Sequence, residues 1–306
     1  MQPIKNNWKV AVLDMYEGAP NEGMRCIREL LNDYAATHGL NLQFHEYEVR
    51  LQQQVPDLSY DIYISTGGPG SPVASEGSAW EAAYFSLIEE LLAWNRTNRV
   101  KKPAIFICHS FQLMCRYFKL GNVCRRKSPA FGVFPVHKTV AGMHEPVFNA
   151  LPDPFYIVDS RNWQVIELNK SNMQAMGAQL LAIEKERPHV PLERATMAIR
   201  FNEHFIGTQF HPEADASGMH KYLLQEEKRK QVTASYGEEK YESMLEQLMD
   251  PDKIRLTHDR FVTTFLDQAI FGLVTASHAV AAGFEQPEGF DPQEGYEDND
   301  NEQSFF

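Results

Sequence analysis

The sequence predicts an α/β protein built on a doubly wound, mostly parallel sheet with helices on both faces. Apolar, strand-like runs alternate with helical stretches through roughly the first 120 residues, a pattern typical of parallel strands joined by helical crossovers. Glycine-rich or chemically reactive residues follow several of these strands directly. Because such sheets carry their sites beyond the carboxyl ends of the strands, the same pattern predicts where the site lies.

The first part of the chain supplies four strands with helices between them. A helix is predicted over Met24–His38, where apolar residues recur at helical spacing and Gly39 follows as a C-cap. A second, amphipathic helix is predicted over Trp80–Asn95. The predicted strands are Trp8–Met15, Leu42–Val49, Tyr60–Ser65 and Pro103–Ile107.

Beyond residue 130 the pattern changes to short strands and turns, some of which we expect to pair antiparallel at one side of the sheet. The predicted strands there are Phe131–Val140, Phe155–Asp159, Leu180–Glu184, Ala195–Phe201 and the buried Phe205–Phe210. The predicted helices are Ser217–Lys230 and Glu238–Met249, separated by a turn over Thr233–Gly237, and then Leu256–Val274.

These elements predict one domain over residues 1–274, with a helical insertion at about 218–255. Residues 275–306 are predicted to be an acidic, disordered tail. The formal net charge is −12, and eight acidic residues with no Lys or Arg lie within 283–306. Nucleic acid is therefore not expected as the main partner, because phosphate binding needs a basic surface.

Compartment and metal content are predicted from what the sequence lacks. No apolar run approaches the ~20 residues that a membrane helix needs, and the N-terminal stretch has no signal-peptide core. The four cysteines show neither the density of a disulfide scaffold nor metal-binding spacing. We therefore expect a cytoplasmic protein without a membrane segment or a metal site.

Cys108 follows an apolar strand and directly precedes a helix-compatible stretch. This is how an elbow raises a nucleophile above the edge of a sheet. The free N–H groups of the first helical turn favour a thiolate there and can hold an oxyanion. Taken alone, the stretch fits an inert buried cysteine more often than a nucleophile.

Two further strand ends complete a catalytic set. A thiol nucleophile needs a base, and the base needs an orienting group. His211 follows the buried strand that ends at Phe210, and Glu213 lies two residues further on. The glycine pair Gly67–Gly68 ends an earlier strand, and its N–H groups can form an oxyanion hole with the amide of His109.

At these motifs the sequence resembles the class I (triad) glutamine amidotransferases, most closely the amidotransferase part of GMP synthase and its stand-alone relatives. The similar segments are Thr66–Ser71, Ile107–Gln112 and Gly207–Glu213, within a resemblance over roughly residues 8–215. The resemblance implies a flavodoxin-like fold. It also implies hydrolysis of the side-chain amide of glutamine to glutamate and ammonia through a γ-glutamyl thioester.

The roles that the resemblance implies are specific. Cys108 would attack the amide, His211 would act as base and then as acid, and Glu213 would orient it. Gly67, Gly68 and His109 would supply the oxyanion hole, and Gln112 would help to hold the substrate. Two positions depart from the family pattern, since Phe106 and Ser110 stand where glycine is usual.

The sequence contains no synthetase domain and no nucleotide-binding motif. No cofactor is expected in this chain, and ATP and magnesium would enter only through a separate synthetase partner. The 218–255 helices could dock such a partner or a second copy of the chain.

Two other hypotheses remain at this stage. The Ile107–Ser110 stretch also resembles the elbow of the DJ-1/PfpI proteins, for which His109 rather than His211 would be the essential histidine. Alternatively, the chain is a non-catalytic regulatory or binding module on the same fold.

Overall fold

The computed structural model describes residues 7–281, and within them one nine-stranded sheet has the order β2-β1-β3-β4-β9-β8-β7-β5-β6. The strands are β1 (Asn7–Asp14), β2 (Asn41–Glu48), β3 (Ile62–Ser65), β4 (Ala104–Ile107), β5 (Asn122–Lys138), β6 (Phe155–Ile166), β7 (Gln179–Glu184), β8 (Thr196–Asn202) and β9 (Phe205–Thr208). Strands β2, β1, β3, β4 and β9 run parallel, in a flavodoxin-like arrangement. The remaining four extend the sheet antiparallel.

Helices cover both faces of the sheet. They are α1 (Gly23–His38), α2 (Val49–Gln52), α3 (Ala79–Thr97), α4 (His109–Tyr117), α5 (Val140–Met143), α6 (Lys170–Met176), α7 (Ala216–Leu224), α8 (Glu226–Tyr236), α9 (Glu238–Met249) and α10 (Leu256–Ala281). A 3-10 turn (Pro146–Phe148) and a π-helical turn (Pro251–Arg255) complete the described elements.

The central strand β4 shows how the sheet divides the core into two clusters. Ile105 and Ile107 pack into one cluster with the apolar sides of α1 and α10. Ala104 and Phe106 pack into the other with α3 and α4. Successive residues point to opposite faces of a strand, so a strand buried on both faces is apolar throughout. The predicted doubly wound fold is confirmed.

The antiparallel region differs from the prediction in strand length. Strand β5 begins at Asn122 rather than Phe131, and β6 continues to Ile166 rather than stopping at Asp159. The two form a long ribbon with a register shift between Arg125 and Ala130. The added part of β5 is basic and contains a proline, so its sequence does not read as a strand.

In the helical insertion, the helices end at other residues than predicted. The predicted helix over Ser217–Lys230 is two helices, because Gln225 is extended (φ −61°, ψ 129°). The predicted turn over Thr233–Gly237 is wrong except at Gly237, since α8 runs to Tyr236. Gly237 has φ +87°, a conformation that glycine adopts without strain. The prediction for α9 is confirmed.

The chain continues as a helix past the predicted domain boundary at residue 274, because α10 reaches Ala281. Residues 282–306 of the predicted acidic tail lie outside the described residues. Among the helices that the structure describes, none is long and apolar enough to cross a membrane. In the same residues, 7–281, no group of three or more His, Cys, Asp and Glu side chains is placed to hold a metal ion.

Candidate active site

Cys108 occupies a strained turn between β4 and α4. Its backbone has φ +47° and ψ −94°, a conformation that is costly for a residue with a side chain and is found mainly at functional sites. The surroundings fix it there: the Cys108 N–H donates to the Thr208 carbonyl oxygen at 2.7 Å, and its own carbonyl accepts from Gln112 N at 3.0 Å. The elbow predicted from the sequence is therefore present.

Phe106 and Ser110, which stand where the family usually has glycine, are both accommodated next to this elbow. The Phe106 ring is buried on the α3–α4 face, with its centroid 5.9 Å from that of Phe201 and 5.5 Å from that of Phe205. Ser110 Oγ lies 2.6 Å from the Thr66 carbonyl oxygen and 2.7 Å from Ser65 Oγ. The phenyl ring thus fills apolar core, and the hydroxyl ties α4 to the end of β3.

His211 and Glu213 form a buried pair beside the elbow. The His211 Nδ1–Glu213 Oε1 distance is 2.8 Å, and the Glu213 side chain is 1% exposed. Burial alone would lower the pKa of His211, but electrostatic interactions with Glu213 and Cys108, and hydrogen bonds to both, raise it well above its usual value. The pair therefore favours an imidazolium next to the sulfur.

The glycine pair approaches the same side chains. A Cβ added at Gly67 would lie 2.7 Å from His211 Cε1 and 3.5 Å from the Cys108 Cβ. A Cβ added at Gly68 would overlap the carbonyl oxygen of Met15. Only glycine fits at either position, so this backbone lies directly against the nucleophile and base that the sequence predicts.

Gln112 lies on the first turns of α4 and lines the cavity. Its Nε2 donates to Gln209 Oε1 at 3.1 Å, and Gln209 Nε2 donates to Cys108 Sγ at 3.8 Å. Sequence reasoning did not single out Gln209, although it lies inside the Gly207–Glu213 motif. Its contact with the sulfur makes it a further candidate for positioning Cys108.

The His109 side chain is placed differently from its backbone. Its amide is in the first turn of α4, where N–H groups have no intrahelical acceptor. Its imidazole is 1% exposed and is not among the described residues that line the cavity. Burial, with the positive charges of Arg50 and Arg116, lowers the pKa of His109 to about 3. This argues against His109 as the essential histidine of a DJ-1/PfpI-like site.

Tyr16 is a site residue that the sequence analysis missed. A Cβ added at Gly23 would overlap the Tyr16 hydroxyl and lie 3.3 Å from Glu213 Oε1. Burial and the negative charges of Glu213 and Cys108 raise the pKa of Tyr16 well above its usual value. Tyr16 follows β1, so the rule that sites lie at strand ends could have indicated it.

One cavity of about 450 Å³ is lined by six of these candidate residues: Tyr16, Gly68, Cys108, Gln112, His211 and Glu213. One wall belongs to the sheet edge, with Cys108, Gln112, Ser160 and Trp163. The other wall comes from the insertion and includes Met219, Tyr222, Lys228, Val232 and Tyr236. The insertion therefore forms one wall of the candidate site.

The family described as "Glutamine amidotransferase class-I" matches residues 24–230. The chain belongs to this family. No curated protein sequence gave a significant match.

Solved structures of other amidotransferases have the same fold. A glutamine amidotransferase from Thermotoga maritima superposes with a TM-score of 0.62 at 15% identity, covering 86% of this chain and 98% of its own. One from Methylobacillus flagellatus gives 0.50 at 14% identity, covering 94% and 98%. The glutaminase domain of CTPS from Trypanosoma brucei, with bound acivicin, gives 0.51 at 13% identity, covering 85% and 94%.

Proposed function

We propose that this class I amidotransferase hydrolyses the side-chain amide of glutamine, with Cys108 as nucleophile, His211 as base and acid, and Glu213 as the group that orients His211. One observation supports the proposal most strongly: three features lie together at one cavity. They are the strained turn at Cys108, the buried His211–Glu213 pair with its raised histidine pKa, and the Gly67–Gly68 backbone beside Cys108 and His211.

The reaction follows from these positions. The Cys108 sulfur attacks the amide carbon, and the resulting oxyanion is held by the amides of Gly68 and His109. The His211 imidazolium gives its proton to the leaving nitrogen, the C–N bond breaks, and ammonia departs. Water, deprotonated by His211, then opens the γ-glutamyl thioester and releases glutamate.

The ammonia could pass to an acceptor on a synthetase partner in trans, and ATP and magnesium would then act on that partner. All four cysteines are unpaired, which suits a nucleophilic thiolate kept reduced in the cytoplasm.

The test measures glutamate and ammonia release from glutamine by the purified chain and four variants. Cys108→Ala and His211→Ala should each lose about 10³-fold or more in kcat/KM, and Glu213→Gln somewhat less. His109→Ala should retain the activity, because its backbone amide is kept. Loss in His109→Ala with survival of His211→Ala would overturn the assignment in favour of the DJ-1/PfpI-like hypothesis.

Labelling tests the nucleophile independently of turnover. A glutamine-like diazoketone, located by mass spectrometry, should modify Cys108 before Cys26, Cys115 or Cys124. Equal modification of all four thiols, with no turnover of glutamine, would contradict an activated Cys108 and favour the non-catalytic hypothesis.

A further inference from the structure

The cavity is larger than a free amino acid requires. Its volume is about 450 Å³, within the range of about 300 to 1,000 Å³ that takes drug-sized ligands. Its lining includes residues of the insertion in addition to those of the elbow and the glycine pair. The cavity therefore has room for more of a substrate than the glutamyl group alone.

The position of His211 indicates on which side of the cavity the leaving amine lies. An imidazolium that protonates the leaving nitrogen must face it, so the amine part of the substrate lies on the His211 side of the cavity. His211 N donates to the Val158 carbonyl oxygen at 3.0 Å, which joins this side to strand β6. The wall then continues from Val158 to Phe131 on β5 and to helices α7 and α8.

This side of the cavity, here called the amine-side recess, is mainly apolar and aromatic, and a cation on its wall, Lys228, has its Nζ 5.1 Å from the Tyr222 ring centroid. Phe131 and Tyr222 have ring centroids 5.9 Å apart. Tyr236 also lines the space, and its hydroxyl donates to the Pro129 carbonyl oxygen at 2.8 Å. The apolar and aromatic lining of the recess consists of Phe131, Val158, Met219, Tyr222, Val232 and Tyr236.

Ammonia has no group that such a surface could bind. Apolar and aromatic walls stabilise a ligand by removing apolar surface from water. A recess of this kind, beside the leaving nitrogen, fits a substituent on that nitrogen.

We propose that the amine-side recess binds the apolar, aromatic N-substituent of a γ-glutamyl amide, so that the substrate class extends from glutamine to N-substituted γ-glutamyl amides. The inference rests on the proposed function, because it uses the same nucleophile and acid. Cys108 Sγ forms a bond to the γ-carbon while the C–N bond breaks. The amine leaves with the proton of His211, and water opens the same thioester to glutamate.

The first experiment compares kcat/KM of the full chain for three substrates: glutamine, γ-glutamyl-methylamide and γ-glutamyl-phenylethylamide. We expect the aromatic amide to exceed the methylamide by about tenfold or more, the scale at which a hydrophobic pocket discriminates. Hydrolysis of glutamine and the methylamide without the aromatic amide would overturn this inference and leave the proposed function standing. No turnover of any substrate and no diazoketone labelling of Cys108 would overturn both.

Variants of the recess test its position. Tyr222→Ala removes an aromatic wall, and Met219→Trp fills the space. Each should lower the ratio of aromatic-amide to glutamine kcat/KM by about tenfold. Leu224→Ala is the matched control, since Leu224 is on the same helix, 55% exposed and outside the cavity lining. Circular dichroism confirms that each variant is folded, and an unchanged ratio in both folded variants would overturn the proposal.

Discussion

His109 is adjacent in sequence to Cys108, the proposed nucleophile, yet its ring lies in a buried environment near two arginines. The positive charges of Arg50 and Arg116 and the loss of water both disfavour its protonated form. Its Nε2 is buried and makes no hydrogen bond with the residues that the structure describes. We infer that His109 is neutral in the folded protein at neutral pH.

A neutral buried histidine makes stability depend on pH. The pKa of His109 is about 3 in the folded protein and about 6.5 in an unfolded chain. Between these values only the unfolded chain binds the proton, so the free energy of unfolding falls as pH falls, by about 1.4 kcal/mol per pH unit for this group. His109→Gln should reduce that slope by the same amount in urea unfolding between about pH 6 and 4.

The control for this slope is His189→Gln, which replaces an exposed histidine and should leave the slope of the parent protein. An unchanged slope in His109→Gln would mean that the folded protein binds a proton at His109, contrary to its burial between the two arginines.

Individual site residues differ in how far the sequence alone identifies them. Cys108, His211 and Glu213 could be named because each chemical type stands at the end of a recognisable strand. Tyr16 and Gln209 could not be assigned roles in this way, because tyrosine and glutamine are ordinary at such positions. Tyr16 is a candidate because its hydroxyl and Glu213 both lie against the Gly23 backbone, and Gln209 because of its 3.8 Å contact with the Cys108 sulfur; only the folded chain defines these positions.

At the scale of elements, the junction between β3, α3 and α4 depends on three buried hydroxyl groups. Ser65 Oγ lies 2.7 Å from Ser110 Oγ and 3.0 Å from the Tyr84 hydroxyl. Ser110 Oγ also donates to the Thr66 carbonyl oxygen. This network holds the strand end that carries Gly67 and Gly68 against the first turn of α4.

Removing one hydroxyl leaves buried partners unsatisfied. Ser110→Ala should therefore lower the free energy of unfolding by about 1 to 3 kcal/mol, measured by urea denaturation. The matched control is Ser86→Ala on the exposed side of α3, for which a change within about 0.5 kcal/mol is expected. Equal effects of the two substitutions would show that the buried network adds nothing to the junction.

Strands and helices could be predicted from the sequence where their apolar residues follow a single, uninterrupted pattern. The β1, β3 and β4 runs are apolar and α9 has a continuous helical pattern, and all of them lie close to their predicted bounds. The start of β5 was missed because its pairing with β6 depends on a partner more than 30 residues away. The break at Gln225 was missed because glutamine favours helices by itself.

At the scale of the whole molecule, α10 connects the C-terminal part of the described chain to the candidate site. Thr257 Oγ1 donates to the Tyr156 carbonyl oxygen at 2.6 Å, and His258 Nδ1 donates to the Glu213 carbonyl oxygen at 2.9 Å. The helix thus packs on the sheet and contacts the backbone of Glu213, the residue proposed to orient His211. The sequence predicted the helix but not these contacts, since they join segments far apart in the chain.

Phe261 packs α10 against the aromatic part of the core. It is fully buried, with its ring centroid 5.5 Å from that of Phe148 and 5.7 Å from that of Phe210, which directly precedes His211. Phe261→Ala should lower the free energy of unfolding by about 3 to 5 kcal/mol, because it removes apolar contacts and leaves a cavity. Phe271→Ala on the same helix, where the ring is 74% exposed, should change it by no more than about 0.5 kcal/mol. Urea denaturation of both variants measures the difference, and a small effect at Phe261 would mean that α10 is not part of the cooperative core that supports His211.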